Sequence, residues 1–381
     1  MRIAFYAPLK PPDHPVPSGD RLLARLLVTA LRRAGHEVEL AGRLRSRDAA
    51  GNPARQARLR ALGARLAARY ARRCEARPKE RRPALWFTYH LYYKAPDWIG
   101  PAAAERLGIP YVVAEASVAN KRAAGSWAAG HAATLEALAR AEAVIALNPA
   151  DVEGLPEVRR LRRLRPFLDL APFSAAAEQA GDHRAALARA EDLDPAQPWL
   201  LSVAMMRSGD KLESYRVLAA ALRELQDLDW RLVIAGDGPA RATVEAAFAG
   251  IDPRRLRFLG EVAADRLPAL YAAADLYVWP AVREAFGMAF LEAQAAGLGV
   301  LAGDEGGVSS IVAPGESAVL VPPGDARAFA AAMRELLQAP GRLRDLGAAG
   351  RRLAEGHGLD AGAAALDAIL REAREGFGAA P

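Results

Sequence analysis

An α/β architecture in two domains is what this chain predicts, on three observations. It opens as strand, helix, strand: RIAFYA (residues 2 to 7), then RLLARLLVTALRRAG (Arg21 to Gly35) with helical periodicity, then HEVEL (His36 to Leu40). Strands and helices alternate again in the second half, from WLLSVA (Trp199 to Ala204) through RLVIAGDGPA (Arg231 to Ala240) to DLYVWP (Asp275 to Pro280). Between the halves the composition loosens over residues 170 to 198, and 381 residues are enough for two full cores.

In the first half, the opening strand leads into the proline-rich loop Pro8 to Pro17 and the turn Ser18-Gly19-Asp20-Arg21. Residues 52 to 82 predict a basic helix, with Leu59, Leu62, Leu66 and Tyr70 on one stripe and Arg58, Arg65, Arg69 and Arg72 around it. Such a helix either packs on its own sheet with a solvated outer face or lies against anionic lipid. Leu85 to Gly100 and Ile109 to Ser117 each read as a strand running into a loop. Ligands of doubly wound sheets gather at those carboxyl ends, which makes His90, Tyr92, Lys94, Glu115 and Ser117 candidates for contact. Ala132 to Arg140 is helical, Glu142 to Leu155 reads as a strand and turn, and RRLRRLR (Arg159 to Arg165) reads as a solvated charge run.

The second half centres on EAFGMAFLEAQAAG (Glu284 to Gly297), a loop turning into a helix that ends at a glycine. Phe286, Gly287 and Met288 stand at the helix entrance, where unpaired N–H groups and the helix dipole favour an anion. Gly287 lets a phosphate approach the backbone. Glu284 and Glu292, eight apart, can each accept two hydroxyl hydrogen bonds from neighbouring rings. A phosphate flanked by polyols describes a nucleotide sugar. Within RLVIAGDGPA (Arg231 to Ala240), a strand followed by a glycine turn, Gly236 and Gly238 mark the turn, and Gly306 and Gly307 mark another loop. Ala326 to Leu337 and Leu343 to Glu355 read as helices, and Asp360 to Arg374 as a terminal one.

Composition narrows the partners. No apolar run approaches the ~20 residues of a membrane span, and MRIAFYA is too short for a signal sequence, so a cytoplasmic protein is expected. One cysteine, Cys74, excludes an internal disulfide or a cysteine-based metal site. Net charge is +6, but aromatics at 7% are not interleaved with the basic runs, which argues against a nucleic-acid partner.

The motifs VIAGDGP (Val233 to Pro239), RFLGEV (Arg257 to Val262), LPALYAAADLYVWPA (Leu267 to Ala281), EAFGMAFLE, the pair Gly306-Gly307 and LVPPGD (Leu320 to Asp325) follow one another in an order that resembles the retaining GT-B glycosyltransferases, most closely family 4, the glycosyl transferases group 1. That resemblance implies two doubly wound Rossmann-like domains facing across a cleft. The acceptor-side domain would span residues 1 to 170, a linker 171 to 198, and the nucleotide-sugar domain 199 to 358. Residues 359 to 381 would cross back to the first domain as a helix. Glu284 would hold the donor sugar and Glu292 the ribose, while Arg207 and Lys211 would clasp the diphosphate. Gly236, Gly260 and Val262 would line the base and the donor, with Gly19 under the diphosphate. The family's glycine loop usually has a glycine pair, and this chain offers Gly19 alone. Many family members also carry a histidine a few residues after a proline placed like Pro110, where this chain has Glu115-Ala116-Ser117. His90 is then the candidate to serve the acceptor. The reaction implied is sugar transfer from a nucleotide diphosphate to a hydroxyl of a glycan, lipid-linked or small-molecule acceptor, with no cofactor and no metal. Peripheral contact with an anionic membrane at its inner face is a further expectation. A GT-B-like phosphorylase, a nucleotide-sugar epimerase and a non-catalytic subunit remain alternatives.

Overall fold

The computed structural model describes residues 1–16, 18–148, 152–284 and 287–378. Its chain divides into two compact units, Met1–Phe167 with Leu359–Pro381, and Leu168–Gly358.

The first unit is built on a six-stranded sheet: β1 (Arg2–Tyr6), β2 (Glu37–Leu40), β3 (Leu85–Tyr92), β4 (Tyr111–Ser117), β5 (Ala143–Ala146) and β6 (Leu161–Arg163). All pairings are parallel and the order is β2-β1-β3-β4-β5-β6. The interior strands β3, β4 and β5 are nearly continuous apolar runs, as expected of strands covered on both faces. The order reverses between β1 and β3, so the carboxyl ends of those two strands open a crevice. Helix α1 (Gly19–Arg33) starts beside it. Its N-cap Ser18 accepts from the Arg21 N–H at 3.2 Å, and Asp20 in the first turn and Arg32 and Arg33 in the last suit the helix dipole.

Helix α2 (Pro53–Glu75) buries Gly63, Ala67, Tyr70, Ala71 and Cys74. Gly63 has to be glycine, since a methyl group there would collide with Trp98. Leu59, Leu62 and Leu66 are only half-buried, with Leu66 packed on the core, so the apolar stripe faces the protein itself. Two shorter helices, α3 (Gly100–Leu107) and α4 (Ala128–Ala139), complete this part. The run RRLRRLR, expected as a solvated segment, forms the edge strand β6. Leu161 to Arg163 pair with Val144 to Ala146, and an edge position tolerates that charge.

The second unit repeats the plan with β7 (Trp199–Val203), β8 (Arg231–Ala235), β9 (Leu256–Gly260), β10 (Leu276–Trp279), β11 (Gly299–Gly303) and β12 (Ala318–Val321), in the order β12-β11-β10-β7-β8-β9. Here the order reverses between β7 and β10. Residues 171–198, expected as a linker, instead form α5 (Ala171–Glu178) and α6 (Ala180–Glu191), which belong to this unit and pack on α9 (Leu267–Ala273). Apolar side chains drive that docking. Phe173 meets Tyr271 at 5.9 Å, and Arg184 stacks over Trp199 at 4.2 Å while pairing with Asp275 at 3.0 Å. The remaining helices are α7 (Asp210–Arg223), α8 (Arg241–Ala247), α10 (Met288–Ala295), α11 (Ala326–Gln338) and α12 (Pro340–Glu355). Helix α13 (Leu359–Glu375) belongs to the first unit, where Phe167 fills the space over Gly362 and Arg162 Nε reaches Glu372 at 2.8 Å. No helix among the described residues is long and apolar enough to cross a membrane.

Candidate functional site

Each unit gathers polar side chains at the point where its strand order reverses. In the second unit these come from the loops after β7 and β10. Lys211, in the first turn of α7, pairs its ammonium with Glu284 Oε2 and lies 5.3 Å over the Trp279 ring. Trp279 Nε1 donates to the same oxygen at 3.2 Å. The chain reaches Glu284 through two non-glycine residues in the left-handed region, Ala281 (φ 57°) and Arg283 (φ 48°), each costing about 1 to 3 kcal/mol. Neighbours hold that bend in place: Val282 N–H donates to Ser214 Oγ at 3.0 Å, Arg283 N–H to Glu305 at 2.9 Å, and Arg283 Nε to Asp210 at 2.6 Å. Gly306 passes so close that a methyl group would collide with the Glu284 carbonyl.

Glu292 sits inside α10, 7% exposed, and accepts from Tyr271 Oη at 2.8 Å. Burial raises its carboxyl above the usual range, and the Tyr271 hydrogen bond only partly offsets this. Gly287 caps α10 with φ 67°, Met288 begins the helix half-buried, and Phe286 lies outside the described residues. After β8 the backbone of Gly236 and Gly238 runs against the loop 204–206. Methyl groups would strike the carbonyls of Ala204 and Met206, and the φ angles of 152° and 153° suit glycine. Gly260 (φ 70°) accepts from Gly236 N–H at 2.7 Å, next to the Asp237–Arg241 ion pair, and Val262 packs half-buried against the core. Arg207 stands apart: its side chain is exposed and makes no hydrogen bond or ion pair among the described residues.

In the first unit, His90 at the end of β3 and Glu115 at the end of β4 occupy facing register positions, and both are left-handed, with φ 63° and 58°. Asp20 comes from the first turn of α1. Its Oδ1 lies 3.0 Å from His90 Nδ1, and Glu115 Oε1 is 3.8 Å from the same nitrogen. Burial alone would raise the Asp20 carboxyl, but the hydrogen bond and charge of His90, helped by Lys10, hold it below the usual carboxylate range. Gly19 opens α1 with free space where a side chain would be. Tyr92 lies 5.1 Å from His90, ring to ring.

Sequence reading missed Asp20, Ser214, Tyr271 and Trp279. Asp20 follows a capping serine in the turn that opens α1, and that placement was the available signal. The others lie on separate elements, and nothing local marks their partners.

The model of the family described as Glycosyl transferases group 1 matches residues 197–339. The D-inositol 3-phosphate glycosyltransferase of Salinispora tropica is 32% identical over 298 residues, 71% of this chain and 61% of that protein. The protein of the same name from Salinispora arenicola is 30% identical over 316 residues, 76% of this chain and 69% of the relative. The chain spans about three fifths of the length of the first curated relatives it matches. Among solved structures, sucrose-phosphate synthase from Thermosynechococcus elongatus superposes with a TM-score of 0.76 at 22% identity, covering 98% of both chains. HepE from Anabaena, in complex with UDP-glucose, gives 0.71 at 16% identity over 97% of this chain and 99% of the other. At such identities the likeness shows the fold, which is GT-B.

Proposed function

Since this chain belongs to the glycosyl transferases of group 1, we propose that it moves a sugar from a nucleotide diphosphate sugar to a hydroxyl of a glycan, lipid-linked or small-molecule acceptor, with retention of anomeric configuration. The observation that carries the reading is the Lys211–Glu284–Trp279 cluster ahead of α10, with Glu292 buried inside the same helix. Lys211 and the N–H groups at the Gly287 cap take up charge on the departing diphosphate. Glu284 holds the hydroxyls of the transferred sugar, and once the phosphate draws Lys211 away its carboxylate turns to them. Glu292 and Tyr271 hold the ribose. Arg207, Gly236, Gly260, Val262, Phe286 and Met288 complete the donor side, and Gly19 faces the diphosphate. His90, oriented by Asp20, takes the acceptor hydroxyl's proton or hydrogen bond. No cofactor takes part.

HepE's complex makes UDP-glucose the donor to try first, and the relatives' name makes D-inositol 3-phosphate the acceptor to try first. The protein works in the cytoplasm with peripheral attachment to anionic membrane through α2, whose seven arginines are all exposed and without ion pairs among the described residues.

The test separates the two glutamates. Glu292→Gln should weaken UDP and UDP-glucose together by about 1 to 3 kcal/mol. Glu284→Gln should leave UDP binding nearly intact and lower single-turnover transfer, because contacts to the sugar matter most as its ring gains positive character. Calorimetry with UDP and rapid-quench rates measure both. Equal loss of UDP affinity in the two variants, or full activity in the Glu284 variant, would reverse the assignment.

A further inference from the structure

Glu284 ends a turn whose conformation its own residues disfavour. Its N–H closes the turn onto the Ala281 carbonyl at 3.0 Å, and the third position of that turn is Arg283 at φ 48°, where glycine or asparagine is usual. Ala281, the first position, is left-handed as well. Side chains persist in such a conformation where their surroundings over-determine it. Two residues of α7 do so. Asp210 Oδ1 accepts from Arg283 Nε at 2.6 Å, and Ser214 Oγ accepts from the Val282 N–H at 3.0 Å while donating to the Asp210 carbonyl at 3.0 Å. From the other side Glu305 accepts from the Arg283 N–H at 2.9 Å.

Asp210 and Arg283 are 51% and 62% exposed, so their ion pair contributes little to global stability. Its place in the chain gives it another use. Asp210 precedes Lys211 in the first turn of α7, and Arg283 precedes Glu284 in the loop, so two neighbouring ion pairs tie the same two elements together. In the transferase reading the diphosphate takes Lys211, and the Lys211–Glu284 pair is lost just when the carboxylate has to be in place. The Trp279 N–H still holds one carboxylate oxygen, from a ring that is 2% exposed and meets Tyr215 edge to face at 5.0 Å. That single hydrogen bond needs the turn to stay where it is. We infer that Asp210 and Arg283 are positioning residues of the transfer: their ion pair keeps the turn docked on α7, and so keeps Glu284 against Trp279, after Lys211 has gone to the diphosphate. The inference rests on the transferase reading and adds two residues that act on the sugar through Glu284.

The first readout needs no ligand. It is the indole N–H signal of Trp279 in heteronuclear NMR of the full chain, assigned with Trp279→Phe. Lys211→Ala supplies a protein whose lysine has left. In that background, adding Arg283→Gln or Asp210→Ala should move the signal toward where adding Glu284→Gln puts it, and adding Arg283→Lys should not. The second readout is transfer from UDP-glucose to D-inositol 3-phosphate with Lys211 intact. At saturating donor the rate should fall about ten- to a hundredfold in Arg283→Gln and largely return in Arg283→Lys, while UDP affinity and melting temperature hold. A Trp279 signal that Arg283→Gln leaves in place overturns the inference, as does full transfer by that variant. So does a loss of rate matched by equal losses of UDP affinity and melting temperature, which marks a merely structural role. A protein in which the signal moves as expected but which binds no UDP and transfers no sugar keeps the tie between Arg283 and Glu284 and sinks the transferase reading.

Discussion

At the scale of single residues, Lys211 is held by Glu284 and Trp279, and the diphosphate of the proposed donor would compete for it. Lys211→Ala should therefore weaken nucleotide diphosphate by ~1.5 to 3 kcal/mol and nucleoside monophosphate less, measured by calorimetry. Unchanged diphosphate affinity would remove it from the site. Glu292 gives a pH prediction. Burial raises its carboxyl in the folded chain, so the folded state holds that proton more tightly than the unfolded one. The stability it contributes is present below the unfolded value near ~4.3 and is lost as pH rises through the higher folded value. Glu292→Gln, which cannot ionise, should thus gain stability relative to the unaltered protein as pH rises from about 4 to 7 in urea melts. A difference that stays constant with pH would mean that Glu292 titrates alike in both states. Both glutamates were singled out by the ordered motifs around them, since a pair of glutamates eight apart is a weak signal by itself. Trp279 and Tyr271 were not, since each reads as an apolar core residue until the fold sets its one polar atom against a carboxylate.

Among the elements, α2 buries Ala67, Tyr70 and Cys74 in the core of the first unit, with Leu66 packed on it, and leaves seven exposed arginines outside, none in an ion pair among the described residues. Its attachment to lipid would thus be electrostatic, with no side chain buried in the bilayer. Sedimentation with anionic vesicles should fall steeply between low and physiological salt, because exposed charges are screened over about 8 to 10 Å there. Equal, negligible binding to neutral and anionic vesicles would leave α2 a solvated helix. The helical period of α2 was readable, whereas the residues that carry its packing were not: small residues such as Gly63 and Ala67 make the closest contacts and contribute little to an apolar pattern. The same blindness applies to β6. Five arginines in seven residues look like a solvated run, but Arg160 pairs with Glu142 and Arg162 with Glu372.

For the molecule as a whole, strand–helix alternation made the fold class legible. Strand order was not, because β1 beside β3 and β7 beside β10 are pairings across long stretches of chain. Those two reversals place the polar clusters, so some of their residues could be named from sequence but the clusters could not be located. With Lys211 and a helix end to hold the diphosphate, transfer should persist in EDTA. Loss of turnover with rescue by Mg²⁺ would sink that account. The first unit is also discontinuous, since α13 closes it from beyond the whole of the second. During synthesis, then, the segment that emerges first from the ribosome cannot be finished first. The face of α1 that receives α13 stays uncovered until the later unit has been translated, a long exposure of apolar surface in which chaperones have their opportunity.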